Sequence, residues 1–239
     1  MIDTANRLAQ IDALISALTQ ERAVLVHRLA EETIASGPEE VPPARPETII
    51  PTAVILGVSH IVQGDPRWGQ THIGEVGYTG CLMEDGGCAV AALSALTGYH
   101  LGRDVTPVIL NRYLQESGGY ADGAAVVWAT ITKLLEKYGV GAQHRSIKSA
   151  DLAEVGAAVR EQIDKENPVV LRMRGSNGPH FLLAIGYTAG TDGAIDIVTH
   201  DPGTKRGDGY GQPPCTLENP TRSYALEGAE VYDVTKQPI

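Results

Sequence analysis

The sequence predicts an α+β domain in which a cysteine opens a buried helix and later antiparallel strands carry a histidine and an acid. Three observations predict it. Gly86-Gly87-Cys88-Ala89-Val90-Ala91-Ala92-Leu93 sets one cysteine behind paired glycines and ahead of small and apolar residues. Helix-like stretches fill the first part of the chain and short apolar runs the second, the order of an α+β fold. Gly178-Pro179-His180 opens one of those runs, and Val198-Thr199-His200-Asp201-Pro202 ends another.

In chain order, residues 1–35 hold an N-terminal helix, expected over 4–35 with Asp3 or Thr4 as its cap. Leu8, Ile11, Ile15, Leu18, Leu25 and Leu29 recur at three- and four-residue steps, a heptad seam broken by Arg22. Two readings fit it: an amphipathic helix packed on the domain or a neighbour, and a short coiled coil joining a homo-oligomer or a particle. Residues 36–47, SGPEEVPPARPE, contain four prolines and read as a semi-rigid linker. Residues 48–239 read as one domain.

Within it, Ile49-Ile50 and Ala53–Leu56 are expected to be extended. A helix over Ala89–Leu96 should end near Gly98. A second should start at Thr106-Pro107, with proline in its first turn, and run to Leu114. A third is expected over Val126–Tyr138, ending at Gly139, and a fourth over Ser149–Ile163 with Ser149 as cap. Strands are expected at Pro168–Met173, Phe181–Tyr187, Ala194–Thr199 and Glu230–Val234.

Composition narrows the function. The 239 residues are 43% hydrophobic, as in globular proteins, and the net charge of −10 argues against a broad nucleic-acid-binding surface. Three cysteines do not make a complete disulfide framework. No apolar run approaches the roughly 20 residues of a membrane span. The start, Met1-Ile2-Asp3-Thr4, lacks a basic region followed by an apolar core, so no secretory signal is expected. Cytoplasmic synthesis follows, with retention there or release by another route.

Cys88 is the candidate nucleophile. The first turn of a helix has unpaired backbone N–H groups and a dipole that favour a thiolate, and the glycines leave the sulfur open. The competing reading is a small core residue, since free cysteines are often buried. Cys81, in Tyr78-Thr79-Gly80-Cys81-Leu82, is a rival thiol, and a Cys81–Cys88 disulfide is a third reading. The six residues between them do not match zinc-ligand spacing, and no second pair follows. Cys215, in a Pro-Pro-Cys loop, reads as incidental. No metal or cofactor is expected; Asp208 in the glycine-rich 203–214 loop lacks the spacing of a calcium-binding EF-hand.

His180 is the candidate base, against the reading of a histidine that merely starts a strand. His60, His72, His100 and His144 lie in polar or loop contexts, His27 belongs to the N-terminal helix, and His200 should point away from Asp201 on an extended strand. Asp201 is the candidate orienting acid, which would fix the histidine tautomer. Asp-Pro-Gly is also a turn sequence, and Asp196 is the alternative acid. Gln63 is a candidate oxyanion donor, together with the backbone N–H of Cys88.

These motifs, taken in order, make the chain similar to a known family. Gln-x-Asp-Pro-x-Trp at 63–68, Gly87-Cys88, Thr106-Pro107 with Leu110-Asn111, Pro168-Val169-Val170, His180 with Gly186-Tyr187, and Asp201-Pro202 resemble the papain-like cysteine peptidases of the bacteriocin-processing, C39-like type. The resemblance covers residues 54–203. It implies a papain-like fold with Gln63 at the oxyanion, Cys88 as nucleophile, His180 as base and Asp201 as third member. Two features depart from the best-known members: no transporter membrane domain follows, and the insert Gly80–Gly86 adds Cys81. Tyr113-Leu114, Gly118-Gly119-Tyr120 and Trp128 resemble phage-associated members, which occur in cell-wall lysins and virions.

The function expected is a thiol hydrolase acting on an amide bond of a peptide or of peptidoglycan. The alternatives are a non-enzymatic attachment protein of a phage particle and an acyl transferase. Specificity is expected from the loops 118–125 and 203–214, the latter as a lid.

Overall fold

A computed structural model describes residues 53–175, 178–189, 195–203, 215–216 and 224–235. The expected helix at 4–35, the linker at 36–47, Ile49-Ile50 and loop residues 204–214 lie outside the described residues, as does the side chain of Cys215.

The order is β1 (Ala53–Ile55), a short α1 (Met83–Gly86), α2 (Cys88–Leu101), α3 (Pro107–Glu116), β2 (Tyr120–Ala121), β3 (Ala125–Val126), α4 (Thr130–Lys137), β4 (Gly141–Ile147), α5 (Leu152–Asp164), β5 (Val169–Gly175), β6 (Gly178–Ala189), β7 (Ile195–His200), β8 (Cys215–Thr216) and β9 (Ala225–Thr235). Among the described residues, seven strands form one sheet in the order β4-β9-β5-β6-β7-β8, with β1 also beside β6. Every pairing in it is antiparallel. The α+β expectation therefore holds.

α2 is apolar all round, and its residues from Cys88 to Thr97 are buried. A helix without a polar face must lie inside the molecule. It does not end at Gly98. That glycine lies within the helix, where a side chain would crowd the carbonyl of Arg103 at 2.9 Å. The helix ends instead at Gly102, whose φ of 60° is the left-handed cap that glycine adopts without strain. Thr106 caps α3 as expected, its Oγ1 accepting the N–H of Ile109.

Two other helix boundaries differ from expectation. Val126 is not helical but pairs with Tyr120 in the β2–β3 hairpin, so α4 begins only at Thr130. α5 begins at Leu152 because Asp151 rather than Ser149 caps it, accepting the N–H of Ala153; Ser149 Oγ accepts the N–H of Asp151 one step earlier.

The strands divide two cores by alternation. On one face Val170, Leu183, Ile185 and Tyr232 pack with Leu93, Leu96, Leu110, Leu114 and Ile131. On the other, Val169, Leu171, Leu182, Ala184 and Val231 pack with Val155, Val159 and Ile163 of α5. The first cluster anchors α2 against the sheet, which fixes the start of that helix beside the strands.

Candidate active site

Cys88 is the first residue of α2, and α1 delivers the chain to it. Gly87 caps the helix. A side chain on Gly87 would run into the carbonyl oxygen and sulfur of Met83, so the turn closes only around glycine. The first N–H groups of α2 have no acceptors within the helix.

His180 lies near the start of β6, and Asp201 directly follows β7, the neighbouring strand. The pairing of β6 with β7 brings the two together: His180 Nε2 is 2.7 Å from Asp201 Oδ1. The same oxygen accepts the N–H of Gly203 at 2.7 Å. Asp201 is thus both the turn residue and the partner of the histidine. Cys88 acts on the same ring, favouring its protonated form. With Nε2 engaged by Asp201, the nitrogen left for the thiol is Nδ1.

Burial acts to lower the His180 pKa, but the hydrogen bonds to Asp201 and Cys88 and the charges of both outweigh it and raise it to about 9. The ring is therefore cationic at neutral pH. Tyr224, just before β9, stacks on it with centroids 4.8 Å apart and planes at 23°. Nothing in the local sequence around Tyr224 marks this contact, which follows from the pairing of β5 with β6 and β9.

Gln63 is buried and tied in two directions. Its backbone N–H donates to the carbonyl of Pro202 at 2.9 Å, and its Nε2 donates to the carbonyl of Glu84 at 2.8 Å. It thus links the turn after Asp201 to the helix before Cys88. The rest of its motif shapes the loop. Asp65 accepts the backbone N–H and the guanidinium of Arg67, and Trp68 Nε1 donates to the carbonyl of Val62. Asn111 is likewise a structural residue, donating to the carbonyl of His72 and accepting from the hydroxyl of Tyr120.

The rival residues fare differently. Cys81 and Cys88 are both free thiols. Burial, with Asp85 and Cys88 nearby, pushes the Cys81 thiol up and makes it the poorer nucleophile. Asp196 pairs with Thr188 at the far end of β7 and does not meet His180. His200 is buried against His60, with ring centroids 4.6 Å apart. His60, read from sequence as a loop residue, hydrogen-bonds the carbonyl of Asp201.

Among the described residues no helix is long and apolar enough to cross a membrane, and no group of three or more His, Cys, Asp or Glu stands together as a metal site.

The sequence profile of the Peptidase_C39 like family matches residues 55–228. Among solved structures, the crystal structure of UfSP from C. elegans is similar at 12% identity and a TM-score of 0.48, covering 84% of this chain and 36% of that one. The chain thus spans about a third of that protein's length. No curated protein matches it. With the profile spanning every motif from Gln63 to Asp201, the chain belongs to the Peptidase_C39 like family, a family of cysteine peptidases.

Proposed function

We propose that this chain is a thiol hydrolase that cleaves an amide bond through an acyl-enzyme on Cys88. The observation that carries the reading is one imidazole, His180, joined to the carboxylate of Asp201 at 2.7 Å and raised in pKa by Asp201 and Cys88 together. With the thiol proton already held on His180, the thiolate sulfur attacks the carbonyl carbon. The tetrahedral oxyanion accepts from the backbone N–H of Cys88 and from Gln63, one of whose two amide hydrogens is already engaged by Glu84. The intermediate collapses as His180 gives its proton to the leaving amine. Water, deprotonated by the same ring, then releases the acid and frees the thiol. Asp201 keeps Nε2 protonated and Nδ1 toward the sulfur throughout.

For substrate we infer a peptide amide, with the peptide cross-link of a bacterial cell wall as the leading case. The likeness of Tyr113–Trp128 to phage-associated relatives supports the latter. The test is incubation of the purified chain with isolated cell-wall sacculi and, separately, with an unstructured protein, followed by labelling of new amino groups. Release from sacculi alone fits the cell-wall substrate; release from the protein alone fits a general peptidase. If neither is cut and no acyl-Cys88 mass is seen, the hydrolase reading fails. Transfer of the acyl group to an added amine in place of water would instead mark an acyl transferase.

A further inference from the structure

We propose that His60 is a positioning residue that holds the main chain of Asp201 in place for His180. The inference rests on reading Cys88, His180 and Asp201 as the reacting group.

His60 Nε2 is 2.9 Å from the carbonyl oxygen of Asp201. A carbonyl can only accept, so Nε2 carries the proton and donates. Three residues on, the N–H of Gln63 donates to the carbonyl of Pro202 at 2.9 Å. One loop therefore grips two successive carbonyls at the turn that presents the acid. The His60 ring is itself braced. It stacks on the buried ring of His200 with planes at 23°. The loop and the last residue of β7 thus hold one another on either side of Asp201.

On its other flank His60 borders a cavity of about 490 Å³ beside α2, shared with Trp68, Tyr99, Arg67, Arg103 and Asp104. That side of the ring borders open space, and the hydrogen bond and the stack hold it from elsewhere. The guanidinium of Arg67 is directed to Asp65 and that of Arg103 to Tyr138. His200 and the Asp201 carbonyl are among the groups that meet the His60 ring. A displacement of about 1 Å in a positioning element can cost on the order of 10²-fold in rate. Here the displaced group would be the carboxylate that keeps His180 cationic.

The test is NMR titration of the His180 ring in the full chain, for wild type, His60→Phe and His60→Gln, beside kcat and KM. Phenylalanine keeps a ring on His200 but cannot donate; glutamine can donate to the same carbonyl. In His60→Phe the His180 midpoint should fall from near 9 toward 6.5 by about one unit or more, with kcat down about tenfold and KM unchanged. His60→Gln should recover most of both. A folded His60→Phe whose His180 titrates as in wild type overturns the proposal and leaves the catalytic reading standing. A wild type with no turnover and no acyl-Cys88 overturns both. Should His60→Phe not fold, the wild-type spectra decide: His60 must be the Nε2–H tautomer with a slowly exchanging proton, and an Nδ1–H tautomer overturns the proposal.

Discussion

His180 and Asp201 meet at 2.7 Å through one carboxylate oxygen, and that oxygen is also fixed by the N–H of Gly203. The acid is therefore held by its own turn before the histidine reaches it. Pre-set geometry of this kind spares the site from reorganising during reaction.

The protonated ring sets a pH dependence. The folded-state pKa of His180, about 9, lies above the ordinary 6.5, so its contribution to stability is full below pH 6.5 and is lost as pH rises through about 9. Asp201→Asn should lower the His180 pKa. Wild type should then be more stable than the variant at pH 6, with the gap closing by pH 10. Urea unfolding of both proteins at several pH values checks this; a gap that is constant with pH contradicts it.

The two neighbouring thiols should behave differently. Cys88→Ala should lower the rate by about 10⁴-fold or more, as loss of a nucleophile does. Cys81→Ala should leave it near wild type, because burial and Asp85 hold that thiol up. Turnover of an amide substrate by the two variants checks the assignment, and the reverse pattern would move the nucleophile to Cys81.

Gly87→Ala should be costly despite adding one methyl group. The new carbon would meet the carbonyl and sulfur of Met83, backbone atoms included, and overpacking costs about 1–3 kcal/mol. A lower Tm together with a lower kcat is expected, since the shifted turn carries Cys88. A Tm within error of wild type would show that the turn relaxes freely.

His200 gives the acid-side behaviour. Burial first, then the charge of His60, lowers its pKa to about 4 against a slight rise from Ser59. Its stabilising effect is present above pH 6.5 and is lost as pH falls from 6.5 through about 4. The slope for one such proton is about 1.4 kcal/mol per pH unit. His200→Phe keeps a ring beside His60 and should lose less stability than wild type between pH 7 and 4. Parallel losses measured by urea unfolding would remove His200 from the acid response.

Much of this arrangement is legible in the sequence. The helix at Cys88 shows itself because its apolar residues run all round, and β5, β6 and β7 because their apolar runs are short and bounded. β4 is invisible for a physical reason. Its residues beside Glu230, the part-buried His144 and the exposed Ser146, are polar, and they are accommodated because they hydrogen-bond the fully buried carboxylate of Glu230, which Arg172 also pairs. An apolar alternation test cannot see such a strand. The start of α4 is misread because Val126 continues the apolar pattern of that helix, whereas pairing with Tyr120 claims it for a hairpin. Cys88, His180 and Asp201 are found from type, order and local context. His60 and Tyr224 are not, because each meets the site through contacts between segments more than 40 residues apart in the chain. Gln63 is named by its motif, but its double tether to Glu84 and Pro202 is a property of the fold alone.

The most direct test of the central claim is iodoacetamide labelling across pH 5–10, with mass spectrometry to locate the modified thiol, in wild type and His180→Ala. Labelling at Cys88 that stays fast well below pH 8 and slows sharply in His180→Ala is the expected result. Equal labelling of Cys88 in both proteins, with an ordinary thiol pH profile, or faster labelling at Cys81, would contradict it.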